Sequence, residues 1–251
     1  MKVSFNELQA LSRKAFMGIG FAEGHADDAA DMVTWMESYD LDGLKALSLA
    51  LDHLINNDPE AHPEILYQDG DLAVIDGHNL SVLRVGNLAL ELAFAKARSR
   101  GFSVMKIRRC RQRQLIMGYL ARLAGRGMNV TAFWRNAQEP LTEQVIGFRA
   151  NSAVPSIRVY AVEDIPEENE RNDGITLVMA NHVDLLPTMR SDYRYDLLAK
   201  HEESDLLAAR ERALSTGIEV DPGLWQTLKD LAQATLVESF DASRLGAGPA
   251  E

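Results

Sequence analysis

Five cationic side chains fall within eight positions of a chain whose formal net charge is −11. They are Lys106, Arg108, Arg109, Arg111 and Arg113. Guanidinium groups bind carboxylate and phosphate oxygens in a forked geometry, and a helix start adds backbone N–H donors. The cluster therefore predicts an anion pocket, for which Arg109, Arg111 and Arg113 in the connecting loop are best placed. A solvated edge or a set of ion pairs would explain the same residues.

The six histidines are scattered along the chain, at His25, His53, His62, His78, His182 and His201. No two have the spacing of metal ligands on one helix face, so the sequence predicts no metal site. His78 and His182 each lie at the end of a predicted strand, where binding residues collect in α/β folds. These two are the best candidates for binding, and ordinary surface or packing roles are the simpler account of all six.

Three acids, Asp40, Asp42 and Asp52, flank the third predicted helix. Neighbouring carboxylates could act as paired acids for proton transfer. Acids near a helix start also satisfy its amide groups, which is the simpler account. The sequence contains no glycine-rich nucleotide loop, zinc-protease motif or nucleophile elbow, so no standard enzyme class is indicated.

The amino-acid composition restricts where the protein can be located in the cell and which classes of partner it can bind. Cys110 is the single cysteine, which excludes an internal disulfide and favours the reducing cytoplasm. No export signal is visible, and no apolar run approaches the roughly 20 residues of a spanning helix. The acidic net charge repels nucleic-acid phosphates. We expect a cytoplasmic protein that binds neither membranes nor nucleic acid.

Residues 1–60 are predicted to form an N-terminal helical part. Ser4 and Glu7 have the spacing of a capping box, and apolar residues then recur at helical intervals in three successive stripes.

Residues 61–192 are predicted to form an α/β sheet domain. Apolar runs on both sides of Asp69-Gly70 indicate a β-hairpin. The acidic stretch 163–170 is predicted to be an exposed loop. The periodicity further predicts helices over 83–100 and 112–126, each followed by glycine, and strands over 103–108, 128–134, 156–162 and 175–179.

Residues 193–251 are predicted to form C-terminal helices over 193–216 and 222–235. Asp221 and Pro222 have the residue types of an N-cap and a first helical position. We expect these helices to pack with the N-terminal part, which gives the fold class α/β (α+β). The terminal helices carry more apolar surface than a small sheet can cover, so we also expect a homodimer that uses them.

Several short motifs follow one another in a fixed order. They are Asp76-Gly77, then Gly86, Ala89, Glu91, Ala93 and Ala97 before Gly101, then Gly118-Tyr119-Leu120-Ala121, Gly127-Met128 and Asn136, and finally Arg210-x-Arg212, Gly217-Ile218 and Leu224-Trp225. Their order resembles the malate/L-lactate dehydrogenase-like family, which includes the sulfolactate and ureidoglycolate dehydrogenases. The resemblance implies a mixed sheet that is not a Rossmann domain, a helical unit built from both termini, and a dimer. It also implies a nicotinamide cofactor and chemistry on 2-hydroxy acids, and it adds Asn136 to the candidates for binding the anion or the cofactor.

The sequence departs from that family at positions that matter for catalysis. Leu41-Asp42-Gly43 stands where the family has Ser-His-Gly, whose histidine transfers a proton. Arg113 stands where a second histidine normally lies beside the cofactor. The family's long segment before its closing helices has no counterpart between Val162 and Leu206. We therefore expect a shortened, diverged relative.

A second resemblance is to an uncharacterised bacterial family of similar length. It rests on Trp35, on Leu41-Asp42-Gly43, and on the terminal Ala242-Ser243-Arg244-Leu245 with Gly246-Ala247-Gly248. This second resemblance implies no activity.

Three functional hypotheses follow. In the first, the chain is a pseudoenzyme without dehydrogenase activity or a resident cofactor, and it binds an anionic metabolite or a partner subunit. In the second, it is an active NAD(P)-dependent reductase of small 2-oxo or imino acids in which Asp42 moves the proton. In the third, it is an accessory subunit that forms a hetero-oligomer with a full-length dehydrogenase.

Overall fold

The chain begins with three helices. A computed structural model describes residues 1–58, 61–136, 141–162, 173–184 and 196–234. The predicted capping box is confirmed, because the Ser4 hydroxyl accepts the Glu7 amide at 3.2 Å and the Glu7 carboxylate accepts the Ser4 amide at 2.7 Å. The helices are α1 (Phe5–Gly18), α2 (Glu23–Ser38) and α3 (Gly43–Ile55).

Eight strands within the described residues form one mixed sheet in the order β2-β3-β4-β8-β5-β6-β7-β9. Only β3 and β4 are parallel, and the other neighbours are antiparallel. The predicted hairpin around Asp69-Gly70 is confirmed as β2 and β3. The strands are β2 (Glu64–Gln68), β3 (Leu72–Asp76), β4 (Phe102–Arg108), β5 (Asn129–Arg135), β6 (Thr142–Phe148), β7 (Ser156–Ala161), β8 (Ile175–Ala180) and β9 (Leu197–His201).

The helix α4 (Val82–Arg100) connects the parallel strands and packs on β4. It begins at Ser81, whose hydroxyl accepts the Leu83 amide at 3.3 Å. It ends at Gly101, where a φ of 89° requires a residue without a side chain. The Ser103 hydroxyl donates to the carbonyl of Ala93, so this face of β4 meets α4. The buried contact between them forms part of the core.

A 3-10 helix over Arg113–Ile116 leads into α5 (Met117–Gly125), which packs against α2. The sequence predicted one continuous helix over 112–126. The tighter first turn reflects the loop before it, because Gln112 has a left-handed φ of 51°.

The two ends of the chain pack together, as predicted. The helix α7 (Pro222–Gln233) contacts α1, and α6 (Glu203–Thr216) contacts α2. The short strands β1 (Lys2–Val3) and β10 (Ile218–Glu219) pair antiparallel. The Asp221 carboxylate accepts the Leu224 amide at 2.9 Å, which confirms the predicted cap of α7.

The prediction of a helix over 193–216 was wrong at its beginning. Residues Leu197–His201 form β9, which pairs with β7, and the helix begins at Glu203. A Leu-Leu-Ala-Lys run has good helix propensity, but pairing with a strand distant in sequence overrides that preference. The strand β6 was not predicted at all.

Other predictions fall on residues that lie outside the described ranges. These are the exposed acidic loop over 163–170, the start of the helix at 193–195, and the terminal motif over 242–248. Across the residues that the structure does describe, no helix is both long enough and apolar enough to span a bilayer.

Candidate functional site

The parallel strands β3 and β4 end side by side, and the loops that follow them are bonded to each other. We call residues 76–82 and 108–113 the strand-end junction. Backbone bonds join Gly77 to Arg108 at 2.8 Å and Asn79 to Arg109 at 2.7 Å, and Arg111 bonds both Leu80 and Val82. These bonds fix both loops although His78, Asn79, Arg109 and Gln112 have left-handed φ angles.

Asp76 and Arg109 form the central ion pair of this junction. Asp76 is 5% exposed, and Arg109 donates to both of its carboxylate oxygens, from Nε at 2.8 Å and from Nη2 at 2.6 Å. Burial would raise the pKa of Asp76, but the bonds from Arg109 and from the His78 amide outweigh it and lower that pKa. Arg109 is therefore engaged by an internal carboxylate.

His78 extends this pair towards the surface. Its Nδ1 lies 3.1 Å from Nη2 of Arg109, and its Nε2 lies 3.5 Å from the Glu64 carboxylate. A guanidinium only donates, so Nδ1 accepts and the ring proton sits on Nε2, facing Glu64. Both ring nitrogens thus have protein neighbours.

The Asp76–Arg109 pair predicts a reversal in the pH dependence of stability. The folded-state pKa of Asp76 is lowered from its ordinary value of 3.8, so its contribution is present above that value and is lost as the pH falls through the folded pKa. In Arg109→Met, burial acts without the guanidinium and should raise this pKa. Asp76 should then destabilise the fold as the pH rises.

Thermal unfolding from about pH 3 to pH 6 measures this reversal, with each protein compared with its own Asp76→Asn derivative. Asp71→Asn is the matched control, because its ion pair with Arg100 is more than half exposed on both sides. The same sign of pH dependence in both backgrounds would contradict the prediction.

The other cluster residues have different environments. Arg113 is largely buried and donates to the carbonyls of Cys110 at 3.0 Å and Arg135 at 2.8 Å. Arg111 has an exposed side chain. Lys106 donates to the Thr176 hydroxyl at 3.2 Å, and burial lowers its pKa. The structure therefore does not bring the three loop arginines together around one point.

Cys110 lies inside the same junction and is inert as a nucleophile. It is 2% exposed, and burial raises its pKa to about 12. The thiol therefore stays protonated at neutral pH, and only a thiolate reacts readily.

Asn136 and His182 do not join the junction arginines. The side chain of Asn136 has another role, and His182 lies elsewhere on the sheet. The Asn136 side chain accepts the Thr142 amide at 2.7 Å and so links the end of β5 to the start of β6. His182 is exposed and follows β8, which runs antiparallel to β4. It consequently lies at the end of the sheet opposite His78.

Asp42 is a surface residue at the start of α3. It has a left-handed φ of 56°, its side chain is 73% exposed, and Lys45 lies 3.8 Å from its carboxylate. The carboxylate that accepts an α3 amide belongs to Glu37, which bonds Leu44 at 2.8 Å. Burial raises the pKa of Glu37, and this bond partly opposes the rise. Sequence reasoning assigned the capping role to the wrong acids, because Glu37 belongs to the preceding helix.

A cleft of about 390 Å³ opens between α1, α2, α5 and α6, and no local sequence pattern predicts it. We call it the Trp35 cleft, after the residue that lies 4.6 Å from Tyr39 and 5.7 Å from Phe148 between ring centroids. Its polar lining residues include Arg122 and Arg210. Arg122 is ion-paired with Asp28 and Asp31, whereas Arg210 donates to the Ser38 hydroxyl at 3.0 Å.

A second cleft of about 370 Å³ lies beside β7 and β9. Two of its cations are matched by acids, since Arg149 pairs with Asp184 at 3.1 Å and Lys200 pairs with Glu202 at 2.9 Å. Within residues 1–58, 61–136, 141–162, 173–184 and 196–234, no three histidine, cysteine or acidic side chains are arranged so that they could hold one metal ion.

Several solved structures that are similar to this chain are dehydrogenases, and one is a reductase. Malate dehydrogenase from Pyrococcus horikoshii aligns with a TM-score of 0.67 and 14% identity over 96% of this chain and 97% of that chain. The chain has the fold of these enzymes. Sulfolactate dehydrogenase from Methanocaldococcus jannaschii gives a TM-score of 0.61 and 15% identity over 93% and 97% of the two chains. The Δ1-piperideine-2-carboxylate reductase from Pseudomonas syringae aligns with a TM-score of 0.60 and 13% identity, over 92% of this chain and 99% of that chain.

Sequence comparison adds one family match. Residues 3–91 match the model of a family described as a protein of unknown function (DUF3726). No curated protein has a significantly similar sequence. At 12 to 16% identity the structural similarity establishes the fold and leaves the activity open.

Proposed function

We propose that this chain is a diverged protein of the dehydrogenase fold that binds a small anionic metabolite and does not transfer hydride. The observation that carries the absence of hydride transfer is the bonding of the strand-end junction, and the one that supports anion binding is Arg210, which lines a cleft and has no acidic partner among the described residues. The amides of Cys110 and Arg111 donate to backbone carbonyls, and the guanidinium groups of Arg109 and Arg113 are engaged by Asp76 and by two carbonyls. Among the described residues, Gln112 Oε1 and Arg113 Nε are the buried side-chain atoms of the junction that have no hydrogen-bond partner, and the other groups named here are already engaged.

These residues do not fit the nicotinamide cofactor that the family resemblance implies. The resemblance places a cofactor-contacting histidine at Arg113, and a buried cation bonded to the protein backbone occupies that position. It places the proton-transferring histidine at Asp42, which is 73% exposed. A general acid contributes about 10²–10⁴-fold when it is positioned against its substrate, and an exposed carboxylate lacks that positioning. Both departures argue against an active reductase.

Purified protein is therefore expected to show no saturable oxidation of NADH or NADPH with pyruvate, oxaloacetate or a cyclic imino acid. Small carboxylates or sulfate should nevertheless raise its melting temperature. Robust turnover would refute the proposal. In that event, Asp42→Asn should remove most of the rate with little change in cofactor affinity, and Asp52→Asn, an exposed acid on the same helix, should leave it intact.

A partner-binding subunit is the second candidate. Leu197 and Leu198 of β9 are about half exposed, as are Leu207 and Leu214 of α6. Exposed leucines on the edge strand β9 and on α6 favour an interface with another chain, either a second copy or a related dehydrogenase subunit. A homodimer, or a hetero-oligomer with such a subunit, stays a prediction that sedimentation of the ligand-free protein measures.

A further inference from the structure

Within the described residues, the Trp35 cleft contains one arginine whose charge no acid balances, although the protein is acidic. The chain has a formal net charge of −11, and the charged residues that line the cleft are Arg122, Arg210 and Asp31. Asp31 is bonded to both Arg122 and Gln9, and Asp28 also pairs with Arg122. These bonds neutralise Arg122. Arg210 remains as the cation available to a ligand.

Arg210 is held in place without being neutralised. Its Nη1 donates to the Ser38 hydroxyl at 3.0 Å, and its guanidinium carbon lies 5.1 Å from the centre of the Tyr39 ring. In the part of the chain that the structure describes, no acidic group pairs with it. A guanidinium with unused N–H groups is suited to a carboxylate, which it can bind through two oxygens.

Two further donors line the cleft. Over the described ranges, no hydrogen bond engages the indole N–H of Trp35 or the hydroxyl of Tyr39. Burial raises the pKa of Tyr39, with Arg210 opposing the rise, so the hydroxyl stays protonated and able to donate. Buried or half-buried tyrosine and tryptophan side chains ordinarily find a partner for their polar atoms. Neither atom is among the buried polar atoms that lack a partner, so each meets the open space of the cleft and is available to a ligand there.

The remaining wall suits a flat carbon skeleton. The indole of Trp35 forms one side, and α5 contributes the small residues Gly118, Ala121 and Gly125. Small side chains leave room beside an aromatic ring, and the volume of about 390 Å³ lies at the lower end of the range for small-molecule sites.

We propose that the Trp35 cleft binds a small carboxylate with a planar, aryl-type skeleton, whose carboxylate contacts Arg210 and whose ring packs against Trp35. This assignment rests on the anion-binding function proposed above and names its ligand class. The cleft is distinct from the strand-end junction, where the family resemblance places the cofactor-contacting residue at Arg113, and from Asp42, where it places proton transfer.

The test compares phenylacetate, phenylacetamide and acetate by calorimetry and by tryptophan fluorescence. Phenylacetate should bind saturably at millimolar concentration or below. Phenylacetamide lacks the charge and acetate lacks the ring, so each should bind at least about tenfold more weakly, as expected for the loss of one charged hydrogen bond or of one ring contact. Equal binding of phenylacetate and phenylacetamide would overturn the assignment without any mutation.

Variants test the residues. Arg210→Met should weaken phenylacetate binding about tenfold or more, and Arg210→Lys should retain part of the affinity. Arg212→Met is the matched control, because Arg212 lies on the same helix and pairs with Asp40 at 3.6 Å outside the cleft. Trp35→Phe should remove the fluorescence response, while Trp225→Phe should keep it. Equal loss in Arg210→Met and Arg212→Met would overturn the assignment.

The experiments distinguish a failure of the ligand assigned to the Trp35 cleft from a failure of the proposed function, which is anion binding without hydride transfer. If phenylacetate does not bind but sulfate or a dicarboxylate stabilises wild type and Arg210→Met equally, anion binding stands and the Trp35 cleft is not its site. If the fluorescence of Trp35 changes with protein concentration and not with added ligand, a second copy of the chain covers the cleft. That result also overturns the assignment. Nicotinamide-dependent turnover would refute the general function whatever the cleft binds.

Discussion

Replacing Arg113 with methionine is expected to lower the free energy of unfolding by about 1.5–3 kcal/mol. Its guanidinium donates to the carbonyls of Cys110 and Arg135, and so ties the loop after β4 to the end of β5. Methionine retains an apolar stem but leaves both carbonyls without this donor. Because burial makes a charged guanidinium costly, its removal recovers part of that cost, and the loss stays near that of one charged hydrogen bond.

Urea denaturation with and without sulfate measures this effect and separates two roles for Arg113. Arg111→Met is the control, since its side chain is exposed in the same loop, and its effect should stay within about 0.5 kcal/mol. If Arg113 is structural, sulfate should stabilise wild type and Arg113→Met by the same amount. If sulfate no longer stabilises Arg113→Met but still stabilises Arg111→Met, the anion binds at the strand-end junction.

The parts of the fold that the sequence predicted well are those with local causes. Ser4 and Glu7 are three residues apart, and their reciprocal bonds depend on little else. Gly101 ends α4 because a φ of 89° excludes most side chains, and this requirement is visible in the residue type alone. Such features can be predicted because the energies involved act within one turn of the chain.

The parts that were predicted wrongly depend on distant contacts. Residues 197–201 form a strand because β7, about forty positions earlier, presents an edge to them. Likewise, α3 receives its capping carboxylate from Glu37 in α2, although Asp42 is closer in sequence. Local propensity does not contain this information, since the deciding partner is fixed only when the chain folds.

The candidate site could be predicted only in part for the same reason. The basic cluster was visible in the sequence, but the pairing of Arg109 with Asp76 spans 33 positions and turns a predicted anion ligand into an internal ion pair. The Trp35 cleft had no sequence signal, because Arg210 meets Ser38 across 172 positions. The expected absence of the family's segment between Val162 and Leu206 stays a prediction, and much of that region lies outside the described residues.

Gly118 belongs to a motif that resembles the dehydrogenase family, and the packing explains the glycine. Gly118 lies where α5 crosses α2, and a Cβ atom added there would lie 2.6 Å from the Cα atom of Met32 and 3.0 Å from its carbonyl oxygen. These are backbone atoms of a buried helix, so they cannot move aside as the end of a flexible side chain could. The two helices would have to separate along their contact.

Gly118→Ala is therefore expected to destabilise the protein by about 1–3 kcal/mol, the range for overpacking in a core, even though alanine has the higher helix propensity. Gly125→Ala is a matched control at the end of the same helix, where an added Cβ would have nothing within 4 Å. That substitution should be neutral or stabilise by up to about 1 kcal/mol, because only the propensity term remains. Opposite signs in urea denaturation would place the effect in the contact between α2 and α5. Equal shifts in both variants would mean that helix propensity, and not the close approach of Met32, sets the requirement for glycine.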